Sequence, residues 1–173
     1  MLFKKIRDRS TKVKKWSIGW SIVWSIFFVI YLVYVVYIVF YSRQDYYMSG
    51  MNLRLFSSYI EAWHHMERDY WVSLIANIIL FIPLGFFLPL IFGLFRKLWL
   101  VCSVGIILSL LIEIIQYVTK HGIFDIDDIF NNIIGTIIGY GLFSFCFLVS
   151  NTIKNIIRRR TAEMWHYEPF MIE

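Results

Sequence analysis

Four apolar runs, each close to or beyond the length needed to cross a lipid bilayer, constrain this 173-residue chain more than any other feature. They fall at about 16–41, 71–92, 98–118 and 125–150. A hydrocarbon core of about 30 Å is crossed by about 20 helical residues. With no water to satisfy backbone N–H and C=O groups there, runs of this kind must pair their own backbone as helices. The chain therefore reads as all-α, an integral membrane four-helix transmembrane bundle. Its composition agrees, being 59% hydrophobic with a mean hydropathy of +0.64.

A net charge of +5 would suit nucleic acid, but the distribution of the 17 Lys and Arg residues points elsewhere. Only Arg43, Arg54, Arg68 and Lys120 lie in the segments after the first and third runs; the others gather at the two chain ends and at Arg96 and Lys97. By the positive-inside rule both termini are expected in the cytoplasm, and no nucleic-acid partner is expected. The basic N-terminus precedes an apolar run too long for a signal h-region and lacking a small-residue cleavage site, so it reads as a retained signal anchor. Residues 1–15 then form a basic cytoplasmic segment, 16–150 the four-span membrane domain, and 151–173 a basic and aromatic cytoplasmic tail with Trp165, Tyr167 and Phe170. Cys102 and Cys146 both sit inside apolar runs, which gives neither a disulfide framework nor a zinc site.

The polar exceptions to this apolar pattern concentrate in one stretch, EIIQYVTKHGIFDIDDIFNN at 113–132. Glu113 and Gln116, three residues apart, project from one helical face near the end of the third run. Asp125, Asp128 and Asn132 share a face of the first turns of the fourth, whereas Asp127 falls off that face; an Asp before a helix is ordinary capping, but two on the face of Asn132 exceed what a cap requires. Asn77 lies about two turns from the end of the second run, and Arg43 directly follows the first. All these groups collect at the outer membrane face, where an ionisable side chain is costly enough to suggest function.

Other features have structural readings. Gly135 and Gly139, in GTIIG, have the small-residue spacing of close helix contact, and Asn131 shares their ridge. Pro83 with Gly85 is expected to bend the second helix, and Pro89 to help end it. Ser17, Ser21 and Ser25 form a stripe suited to helix packing. Glu61, His64 and His65 resemble metal ligands, yet their spacing fits no strong motif and a solvated face explains them.

The segments MNLRLF (51–56), NIILFIPLG (77–85), EIIQ (113–116) and DIDDIFNNIIG (125–135), in this order and spacing, resemble the VanZ family of bacterial membrane proteins. The resemblance covers about residues 20–145. It carries the family's recurrent polar positions onto Asn52, Asn77, Glu113, Gln116, Asp125, Asp128 and Asn132. Two positions depart from the family pattern: Leu55 stands where a proline is usual, and residues 122–124 lack an arginine that many relatives place before the first aspartate. The family's namesake is associated with low-level resistance to teicoplanin, a glycopeptide bearing a lipid chain. The resemblance thus implies a multi-pass protein of the bacterial cell membrane with a role at the cell envelope.

Three functions compete at this point. The first is a protein that lowers susceptibility to lipoglycopeptides, using Arg43, Asn52, Asn77, Gln116 and Asn132 to hold a lipid-bearing amphiphile. The second is an enzyme acting on a lipid-linked envelope precursor, with Glu113, Asp125 and Asp128 as catalytic acid and base or as oxygen ligands for a divalent cation. No cofactor is evident in the sequence, and no nucleophile motif, HExxH or phosphate loop is present. The third is structural, with the polar groups pinning helix ends together.

Overall fold

The computed structural model describes residues 2–41, 50–66 and 68–167. Arg43 and Phe170 lie outside the described residues. In chain order the elements are α1 (Leu2–Tyr41), β1 (Met51–Asn52), α2 (Ser57–His65), α3 (Arg68–Ile91), a 3-10 turn (Gly93–Phe95), α4 (Leu98–Thr119), β2 (Phe124–Asp125) and α5 (Ile126–Tyr167). Among the described residues four helices are long and apolar enough to cross a membrane, over Gly19–Val39, Arg68–Ile91, Leu98–Thr119 and Ile126–Thr161. The all-α four-span reading is thereby met.

Helices α3 and α5 run parallel and touch backbone to backbone. A methyl group added at Gly135 would collide with the carbonyl oxygen of Ile78, one at Gly139 with that of Ile82, and one at Gly85 with that of Thr136. The small-residue spacing expected of Gly135 and Gly139 is therefore realised, and Gly85 joins it as a contact residue. Helix α3 continues unbroken through Pro83 and Pro89 and ends two residues after the latter. Antiparallel to α5, α4 packs a face made of Val101, Gly105, Ser109, Glu113 and Gln116, all buried.

An aromatic ridge seats α1 on α3: Trp24 and Phe28 pack on Phe87 with ring centroids 6.0 and 6.3 Å apart, and the Tyr31 hydroxyl donates to the Leu80 carbonyl at 3.0 Å. Of the serine stripe, Ser21 and Ser25 do not carry this contact. Ser21 is exposed, and the Ser25 hydroxyl donates to the Ser21 carbonyl of its own helix at 2.8 Å.

Helix α5 extends well past the end expected near residue 150. Its 42 residues span about 63 Å at about 1.5 Å each, roughly twice the hydrocarbon thickness. Leu142–Tyr167 contains neither glycine nor proline, so nothing in the sequence stops the helix at the bilayer edge. At the α3–α4 turn the Tyr140 hydroxyl donates to the Arg96 carbonyl at 2.6 Å, and the Arg96 guanidinium lies 5.1 Å above the Phe147 ring.

The opposite end is closed by a parallel pairing of β1 with β2, Met51 opposite Phe124 and Asn52 opposite Asp125. The Phe124 N–H also donates to the Gly50 carbonyl at 3.0 Å. Two-residue strands have no readable hydrophobic period, and this pairing was not expected from the sequence. It brings the two conspicuous loop motifs side by side.

Candidate functional site

Asp125 is the N-cap of α5. Its Oδ1 accepts the Asp127 N–H at 2.9 Å, as a capping carboxylate does at the second helical position. Its Oδ2 accepts the Ser58 hydroxyl at 2.8 Å and the Asn52 amide at 3.2 Å. The Asn52 amide also donates to Ser57 Oγ at 2.7 Å. Behind this cap, Glu113 Oε2 accepts the Asp125 N–H at 2.9 Å, from a side chain only 2% exposed. Helix α4, β2 and the start of α5 are thus locked by one carboxylate.

Asp127, which its spacing sets off the face of Asp128 and Asn132, ties α5 to the start of α2. It is fully buried, and its oxygens accept the backbone N–H groups of Phe56 at 2.6 Å and Ser58 at 2.9 Å. Phe56 opens α2 in the left-handed region at φ 67°, a conformation that bulky residues seldom adopt. Its N–H bond to Asp127 and its edge contact with Phe130, 5.4 Å between centroids, hold it there. A third carboxylate at the head of a membrane helix, turned away from the face of Asp128 and Asn132, must find a partner elsewhere. That was the available signal for it.

A buried amide layer lies deeper in the bundle. Asn132 donates to Ser109 Oγ at 2.8 Å, and Thr136 Oγ1, one turn on, donates to the Asn132 carbonyl at 2.8 Å. Asn131 Oδ1 accepts the Tyr59 hydroxyl from α2. Ile78 touches Gly135 across the parallel α3–α5 contact, so Asn77, just before Ile78, sits at about the depth of Ile134, within one helical turn of Asn131 and Asn132. Three buried amide atoms there, Asn77 Nδ2, Asn131 Nδ2 and Asn132 Oδ1, have no hydrogen-bond partner among the described residues.

The structure therefore gathers Asn52, Glu113, Gln116, Asp125, Asp128 and Asn132 at one end of the bundle, with Glu113, Gln116, Asp128 and Asn132 buried. Asn77 joins through its buried amide. Asp127, Ser58, Tyr59, Ser109 and Asn131 belong to the same cluster and were not among the residues expected to form it. Ser109 was legible, being four residues before Glu113 on the same helical face. Glu61, His64 and His65 are exposed on α2, and among the described residues no group of three His, Cys, Asp or Glu side chains is placed to hold a metal ion.

The Tyr59 phenol has its pKa raised, first by burial and next by the Asp127 carboxylate, against the lowering effect of its bond to Asn131. It therefore stays a donor, and the stability tied to this protonated form is present below about pH 10, the unfolded value, and is lost as pH rises through the folded one. Tyr59→Phe removes the hydroxyl and leaves Asn131 Oδ1 buried without it. Thermal unfolding in detergent is expected to report a loss of about 1–3 kcal/mol at neutral pH, and the alkaline step of the wild type is expected to disappear.

This fold and site define a class, a four-span membrane protein with a buried carboxylate and amide cluster at one end. Within that class the chain belongs to the VanZ/LLP1 family, whose model matches residues 28–149. No curated protein and no solved structure matches the chain.

Proposed function

We propose that this VanZ/LLP1-family protein sits in a bacterial cell membrane with its polar end outward and lowers susceptibility to teicoplanin-type lipoglycopeptides by binding a lipid-bearing amphiphile there. The observation that carries the binding reading is the set of three unpaired amide atoms on Asn77, Asn131 and Asn132. A network built only to pin helices leaves few buried polar atoms unmatched, because each costs about 1–3 kcal/mol. Atoms unpaired among the described residues, within about one helical turn of one another and beside buried carboxylates, suit a site that receives polar groups from a ligand. The Lys and Arg asymmetry favours the outward orientation.

The alternative, an enzyme acting on a lipid-linked envelope precursor, would use the same carboxylates. Geometry favours binding over that chemistry: Asp125 and Asp127 spend both oxygens on protein donors, and Glu113 holds a backbone N–H. These bonds orient loops and helix ends, which is positioning work. Glu113 and Asp128 are left as the acids such an enzyme would rely on.

The direct test is expression in a glycopeptide-sensitive bacterial host, with teicoplanin and vancomycin susceptibility measured in parallel. Selective protection against teicoplanin is expected, since vancomycin lacks the lipid chain. Unchanged teicoplanin susceptibility at confirmed membrane abundance would reject the reading.

A further inference from the structure

Helix α2 carries an apolar stripe that nothing among the described residues covers. Phe56, Ile60 and Trp63, spaced four and three residues apart, are 46%, 56% and 68% exposed. Glu61, His64 and His65 occupy the neighbouring arc and are exposed as well, while Ala62 is buried against the bundle. A short helix with one arc in the protein, one apolar and one polar has the amphipathic form of an interfacial helix. Its place agrees, because it ends three residues before the span that begins at Arg68.

Between this stripe and α5 runs an open groove of about 520 Å³ lined by Phe56, Tyr59, Ile60, Trp63, His64 and Phe130. Phe130 belongs to the second turn of a membrane span, and Ile137, two turns further along the same ridge, is exposed on the spanning surface. The groove therefore opens at the edge of the hydrocarbon and continues the lipid-facing surface. The Tyr59 hydroxyl is turned inward to Asn131, so the lining offers carbon, one indole and one imidazole, with no fixed charge for a headgroup or an acidic peptide. The volume lies within the range of about 300–1,000 Å³ typical of small-ligand clefts.

We propose that this groove seats one acyl chain of a phospholipid from the leaflet on the polar-cluster side, with α2 lying in that membrane interface. The seat extends the amphiphile-binding reading, supplying an apolar subsite next to the amide layer through Tyr59, but it rests on the groove alone and requires no glycopeptide. The chain sits on the outer side of Tyr59, and the Asp127 clamp sets the groove's width by fixing where α2 begins.

The test uses the full chain reconstituted in phosphatidylethanolamine and phosphatidylglycerol vesicles containing phosphatidylglycerol with a diazirine on one acyl chain. Adducts are mapped by mass spectrometry. Phe56, Ile60, Trp63 and Phe130 are expected to be labelled several-fold more than Ile107 and Leu148, which are exposed on the spans, and Ile60→Glu should abolish that excess while leaving Ile107 and Leu148 unchanged. Equal labelling of groove and span residues would mean ordinary bilayer contact and overturn the proposal. Protection of the groove residues would mean that another protein surface covers them, and would overturn it too. Because the vesicles hold no glycopeptide, failure here and failure of teicoplanin protection are separate results.

Discussion

Gly139→Val is expected to prevent the bundle from forming as a stable species, with the protein aggregating on extraction or losing about 3 kcal/mol or more of stability. The added carbons meet the backbone carbonyl of Ile82 and lie 3.0 Å from the Cα of Gly85, so no side-chain rotation relieves the collision. Lipid supplies no hydrophobic force to press helices together again once they part, since the association depends on close packing. Gly141→Ala is the matched control on the same helix. Nothing lies within 4 Å of a methyl at Gly141, and the greater helix propensity of alanine makes that variant neutral or slightly more stable. Size-exclusion profiles and thermal unfolding in detergent read both; a well-folded Gly139→Val protein would refute the parallel α3–α5 contact.

Asp127→Asn is expected to release α2 while leaving the four spans in place. The carboxylate accepts two backbone N–H groups at the start of α2, and its charge suits a helix N-terminus. An amide retains one acceptor atom and adds donors, so one of these N–H groups loses its partner, at a cost of about 1–3 kcal/mol. Phe56 is then free to leave its left-handed conformation. Hydrogen exchange should accelerate over residues 56–65 and hold steady over the inner turns of α3 and α4. Uniformly faster exchange, or none, would contradict a clamp confined to α2.

The spans were legible because membrane burial writes itself as long apolar runs, and the glycine contact because Gly135 and Gly139 recur at four residues. The polar end was legible in part. Glu113 and Gln116 announced a buried face, since lipid tolerates neither, and Asn132 followed from its spacing to Asp128. Its assembly was not legible. The parallel pairing of Asn52 with Asp125 joins segments more than 70 residues apart through two-residue strands, which leave no periodic trace. The role of Asp127 was not legible because its partners, the N–H groups of Phe56 and Ser58, belong to a helix whose docking no local pattern records. Helix α5 overran its expected end for the opposite reason: hydropathy falls near residue 150, but helix propensity does not.

Asp128→Asn tests the proposal that the buried carboxylate and amide cluster serves a ligand as well as the fold. Teicoplanin susceptibility of cells expressing the wild type or this variant at matched membrane abundance would be measured together with thermal stability of the two purified proteins. The variant is expected to fold, insert and unfold within a few degrees of the wild type while protection is lost. A variant that protects as well as the wild type, or that loses protection only in step with its stability and abundance, would contradict it.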